Sequence, residues 1–178
     1  NPGDIELSGL FSLTNDQNLS LHIKNLSGKD VSRDVFKVPA ETGFSSNIDL
    51  AAFWQGTAVS PLLNLTLTVD DINIRKKRIG RLITSLNYDD SGLNVELNFL
   101  DTLYNMKEQK LKITGTLPID LSLQQSEIKE YGKKLHLSME ANDFELVTLS
   151  GFIPFIKELD GEFIGEVNID GTMDDFNL

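Results

Sequence analysis

The residues able to do chemistry are few: His22, His136, the acid pairs Asp70-Asp71, Asp89-Asp90 and Asp174-Asp175, and the basic run Arg75-Lys76-Lys77-Arg78. His22 lies between Leu21 and Ile23, and His136 between Leu135 and Leu137. Alternation places each imidazole on the polar side of a strand, where a solvated histidine is expected. Neither has a partner at the spacing of metal ligands, and the chain has no cysteine, so neither a zinc site nor a disulfide is expected. Adjacent aspartates on a strand point to opposite faces, so the pairs form no acid–base dyad by themselves; each sits where a turn is expected. There is no EF-hand spacing, no glycine-rich loop leading into a helix and no G-x-S-x-G elbow. The basic run reads as a hairpin tip kept soluble by charge, or, in a functional reading, as a contact for lipid headgroups or peptidoglycan. These patterns point to a protein that is not an enzyme and needs no cofactor or metal.

The composition narrows the classes further. The 178 residues suffice for one domain with a core, and 40% hydrophobic with 24% charged residues describes folded material. The net charge of −11 argues against general nucleic-acid binding and against attraction to anionic lipid surfaces. No run reaches the ~18 apolar residues of a membrane span. The termini, Asn1-Pro2-Gly3 and Phe176-Asn177-Leu178, suggest a piece of a longer repeat-built protein.

The elements that would position any site are strands. Ile5, Leu7, Phe11 and Leu13 share one parity, then Leu19, Leu21 and Ile23 return after a polar turn, predicting a hairpin. Residues 1–60 are the less certain region, with one helical turn over Asp30–Phe36 capped by Asp30, and two short strands near 45–50 and 55–59. Residues 61–178 hold the regular strands. Asp89-Asp90-Ser91-Gly92 is a strong hairpin signal. The parity of Leu111 and Ile113 continues through Pro118 to Leu123, with Pro118 marking an edge, bulge or bend. Asn142 and Glu145 have capping-box spacing, predicting a helix near 142–156 that carries Phe144, Val147, Phe152 and Phe155. The terminal repeat, 159–174, places Phe163, Val167 and Ile169 on one face, with Gly161, Gly165 and Gly171 at the same parity. Strands of this kind build a wide sheet with one continuous apolar side.

Three stretches carry a resemblance to a known family: Ile113-Thr-Gly-Thr-Leu-Pro-Ile-Asp-Leu-Ser-Leu123, Asp143 to Ile156, and Leu159-Asp-Gly-Glu-Phe-Ile-Gly-Glu-Val-Asn-Ile-Asp-Gly-Thr-Met173. Their order and pattern resemble the TamB family of bacterial envelope proteins, related to the AsmA-like group. The resemblance covers roughly residues 111–178, with a weaker echo in Ile5 to Leu26. It departs from the family run at Asp175-Phe176-Asn177-Leu178, which lacks the usual Pro. It implies a mainly β fold: a long antiparallel or mixed sheet curled into an open, apolar trough (a β-taco), with one or two short helices. It further implies an inner-membrane-anchored protein of the periplasm that partners an outer-membrane barrel of the TamA or Bam type. The implied cargo is phospholipid or unfolded outer-membrane protein strands.

Read physically, an apolar trough must be covered, because each Leu left bare forfeits ~1.5–3 kcal/mol. The candidate groove positions are Ile113, Leu117, Leu137, Phe163, Val167 and Ile169; the helix residues Phe144, Val147, Phe152 and Phe155 form a candidate cap or plug. The competing architecture is a closed β-sandwich whose aromatic stretch, Phe44 to Trp54, recognises a protein or polysaccharide.

Overall fold

The computed structural model describes residues 3–12, 16–34, 43–74, 76–101, 108–123, 134–150, 160–172 and 176–177. The strands form a single antiparallel sheet in strict sequence order. They are β1 (Asp4–Leu10), β2 (Gln17–Ser27), β3 (Ser45–Gly56), β4 (Pro61–Ile74), β5 (Lys77–Asp89), β6 (Gly92–Asp101), β7 (Glu108–Leu117), β8 (Leu135–Glu145), β9 (Glu162–Gly171) and a two-residue β10 (Phe176–Asn177). The order runs from β1 to β10 without closing into a barrel. The alternative two-sheet sandwich is therefore not formed by the described strands. Helix α1 (Gly28–Asp34) links β2 to β3, and the single turn α2 (Val147–Ser150) follows β8.

Alternation and register together make the two faces. Leu7, Leu21, Ala52, Leu65, Leu86, Val95, Gly115, Leu137 and Ile169 lie side by side in one ladder across nine strands. The next ladder is Ile5, Ile23, Leu50, Leu67, Thr84, Leu97, Ile113, Met139 and Val167. One residue out of phase, the opposite face reads Glu6, His22, Ala51, Thr66, Ser85, Glu96, Thr114, Ser138 and Asn168. A slip of one residue in any strand would push leucines to the wet face, so the pattern holds the register.

At one end of the strands the ladders are interrupted along a line. Register shifts fall between Ile23 and Leu26, Ser45 and Asn47, Val69 and Asn73, Phe99 and Leu100, and Ala141 and Phe144. Asn25, Asp71 and Asp143 take left-handed backbone there, at φ of 55°, 49° and 49°. A bulge bends its strand and increases the local twist; bulges at one level on neighbouring strands crease the whole sheet. Beyond and beside this crease the apolar face closes on itself. Phe44, Val69, Ile72, Ile74, Ile79, Phe99, Leu111, Ala141 and Phe144 form the buried core. Phe99 and Phe144 meet edge to face at 5.4 Å.

Four expected elements come out differently. The helix near 142–156 does not begin at Asn142: β8 continues to Glu145, where Phe144 pairs with Phe163 and Glu145 with Glu162. The ladder satisfies those backbone groups and buries Phe144, which outweighs a capping box at the surface. Helix α1 is capped by Ser27, whose Oγ accepts from the Asp30 amide at 3.4 Å, and Asp30 lies inside the helix. The two short strands expected in 45–59 are one, β3. The bend expected at Pro118 is found, but the parity beyond it does not continue a strand. Residues 118–123 leave β7 as a strap that crosses toward the β3–β4 turn, where the Leu123 amide donates to the Ala58 carbonyl at 2.7 Å.

Candidate functional site

The two middle ladders of the apolar face are the feature that the fold leaves unfinished. From Leu21 and Ile23 on β2 to Ile169 and Val167 on β9, every position in them is only half-buried. The flanking ladder toward the crease reaches full burial at Val69, Phe99, Leu111 and Ala141. On the strap side Tyr88 is buried, and its hydroxyl accepts from the Leu121 amide at 3.1 Å. The face is thus walled by a packed crease on one side and a strap on the other. Nine strands at ~4.8 Å make it about 38 Å long across the sheet, and three steps of two residues at ~3.3 Å make it about 20 Å wide along the strands. At its β1 edge the lining is most exposed, with Ile5 at 64% and Leu7 at 71%.

The structure brings most of the sequence-expected groove residues together. Ile113, Met139 and Val167 are consecutive in one ladder, and Leu137 faces Ile169 in the next. Leu117 pairs with Leu93 on the strap side. Phe163 is set apart: it pairs with Phe144 and packs against the buried core at the crease. Of the cap residues, Phe144 belongs to β8, Val147 opens α2 and packs on the core, and Phe152 and Phe155 lie outside the described residues. Sequence reasoning confined the groove to the terminal repeats. It missed that Leu21, Leu65, Leu86 and Leu97 carry the same lining across β2 to β6, although their alternation is as strict.

The polar residues do not assemble a reaction centre. His136 Nδ1 lies 2.6 Å from Asp170 Oδ1 on the outer face, with both side chains more than half exposed. Thr116 stands beside His136 in the same row, but its hydroxyl donates to Asn94 at 2.7 Å. His22 stacks edge to face on Phe53, at 5.2 Å, also on the outer face. The aromatic stretch of the sandwich alternative is dispersed: Phe44 is buried in the core, Trp54 faces the trough, and Phe53 is outside. Among the described residues, no three His, Cys, Asp or Glu side chains converge to hold a metal.

A cavity of about 330 Å³ opens at the crease, floored by Ile79 and Phe99 and rimmed by charge. There Lys77 reaches from β5 across to Glu145 on β8, with Nζ 2.8 and 2.6 Å from the two carboxylate oxygens. This ion pair spans β6 and β7 over the mouth of the crease, with both side chains largely exposed.

Comparison with known protein families, with curated proteins and with solved structures found no match for this chain.

Proposed function

We propose that the trough is a conduit segment whose apolar face binds acyl chains. The observation that carries this reading is the pair of middle ladders: nine strands wide, apolar at nearly every position, nowhere fully buried, and faced by no second sheet among the described residues. Several half-exposed leucines, each short of its full ~1.5–3 kcal/mol of burial, favour a ligand that supplies hydrocarbon and makes no hydrogen-bond demand. The polar outer face and the charge of −11 keep the segment soluble while the inner face stays greasy.

The resemblance to the TamB family extends the proposal. On that reading the segment belongs to an inner-membrane-anchored protein of the periplasm, and hands phospholipid toward an outer-membrane barrel of the TamA or Bam type. Unfolded outer-membrane protein strands are the second cargo the resemblance allows. Such a strand would hydrogen-bond to a sheet edge, whereas a lipid lies on the face.

Native mass spectrometry of protein purified from membranes tests the reading: bound phospholipid is expected, and clean apo protein under lipid-rich conditions would sink it. Val167→Glu places a charge in the middle ladder. It should abolish lipid binding while the far-ultraviolet circular dichroism stays unchanged.

A further inference from the structure

The two long edges of the sheet are built differently. β9 is guarded: β10 pairs over its Asp170–Gly171 end, and Glu162, Glu166 and Asp170 charge its outer side. β1 has no such protection. All seven of its residues are exposed, with Leu7 at 71% and Leu10 at 60%. It contains no Lys and no Pro, and it pairs with β2 from Asp4 to Leu10 without a register shift. Its two acids already have basic neighbours in β2, Asp4 standing opposite Lys24 and Glu6 opposite His22. Half of the backbone N–H and C=O groups of an antiparallel edge strand point away from its neighbour. Among the described residues no strand meets those of β1.

We propose that β1 pairs antiparallel with β1 of a second copy of this chain, about a two-fold axis at Leu7. In that register Leu7 stands opposite its own counterpart, Glu6 opposite Ser8, Ile5 opposite Gly9 and Asp4 opposite Leu10. All seven residues are then paired, Ile5, Leu7 and Gly9 stay on the apolar face, and no acid stands directly against another. A slip of one residue sets Leu7 against Glu6 or Ser8 and turns the two apolar faces to opposite sides. A slip of two leaves two residues of each strand unpaired, and in one direction sets Glu6 against Glu6. A head-to-tail contact between β1 and β9 would bring Asp4 and Glu6 to the acids of β9, which disfavours it. Through the two-fold, the middle ladder that runs from Ile169 to Leu7 continues into its copy, so two troughs share one apolar face. A single strand pair buries less than a stable dimer needs, which puts the association in the micromolar range. Two chains of net charge −11 should also associate more tightly as salt screens them.

The pairing does not depend on what the trough binds, and cross-linking of lipid-free protein tests it. The chain has no cysteine, so single introduced thiols report one position each. Directly opposed residues of an antiparallel pair have Cα atoms about 4.5–5.5 Å apart, within the reach of a disulfide. Under mild oxidation Leu7→Cys should form a covalent dimer about tenfold more readily than Glu6→Cys or Ser8→Cys, whose counterparts lie on the diagonal. An equal mixture of Glu6→Cys and Ser8→Cys should form the mixed dimer. Analytical ultracentrifugation of the wild type should show a dimer that grows with protein and salt concentration. Leu7→Lys should abolish that dimer with the circular dichroism unchanged, because Leu7 is exposed and the substitution sets two charges face to face. A wild type that stays monomeric, a dimer that survives Leu7→Lys, or Ser8→Cys cross-linking as readily as Leu7→Cys overturns the proposal. So does a mixed disulfide between Leu7→Cys and Val167→Cys chains, which would show head-to-tail assembly through β9.

Discussion

The crease and the middle of the trough are built from the same alternating pattern, yet one is a core and the other is not. At the crease, Ile72 and Ile74 are 0% and 1% exposed; in the middle ladders Leu65, Leu97 and Ile113 remain half-buried. The difference is not hydrophobicity but geometry. Bulges at Asn25, Asp71 and Asp143 turn the strands, so that β4, β5 and β8 contribute to one cluster. Between crease and strap the ladders run without interruption; Leu67, Leu97, Ile113 and Met139 touch the edge of the core yet stay half-buried. The protein therefore separates two roles along each strand: stability at the crease, and a surface offered to a ligand in the middle.

Substitutions at matched positions test that separation. The largest effect is expected at the crease, where Phe99→Ala removes a ring packed against Phe144 and should cost about 3–5 kcal/mol in urea unfolding. The same truncation idea in the trough, Ile113→Ala, should cost about 1–2 kcal/mol, since the side chain is only half-buried. It should also weaken lipid or hydrophobic-dye binding, which Phe99→Ala does not do while the protein stays folded. Equal losses of stability at the two sites would erase the distinction. Asn25→Val forces a β-branched residue into left-handed backbone and should destabilise by about 1–2 kcal/mol, whereas Asn25→Gly should be neutral or slightly stabilising. Lys77→Met removes an ion pair whose side chains are 56% and 40% exposed. It should change stability by under about 1 kcal/mol, and the change should shrink with added salt.

Much of the sheet was legible in the sequence because alternation is a local signal. The first hairpin, the strands of β4 to β7 and the face shared by Phe163, Val167 and Ile169 follow from parity alone. So does the Asp89–Gly92 turn. There Asp89 Oδ1 accepts from the Ser91 amide at 2.6 Å, and Gly92 takes a φ of 114° that a side chain would resist. The failures share a cause. Asn142 and Glu145 have the spacing of a capping box, but β9 offers Phe144 and Glu145 strand partners that local spacing cannot reveal. Parity runs on past Pro118, yet the backbone there is claimed by Tyr88 and Ala58. The crease cavity left no trace in the sequence, because its lining comes from five strands and the turn of α2.

The order of hydrophobic and polar residues by itself determined that this chain forms strands, which side of each strand is apolar, and that both histidines fall on the wet side. Period-two alternation encodes those facts one strand at a time. Only the tertiary structure decided that the apolar sides join into one face, that bulges crease it into a core at one end, and that the middle stays half-open. Those outcomes depend on register between strands and on where the backbone turns left-handed. Both are set by contacts between residues far apart in the chain.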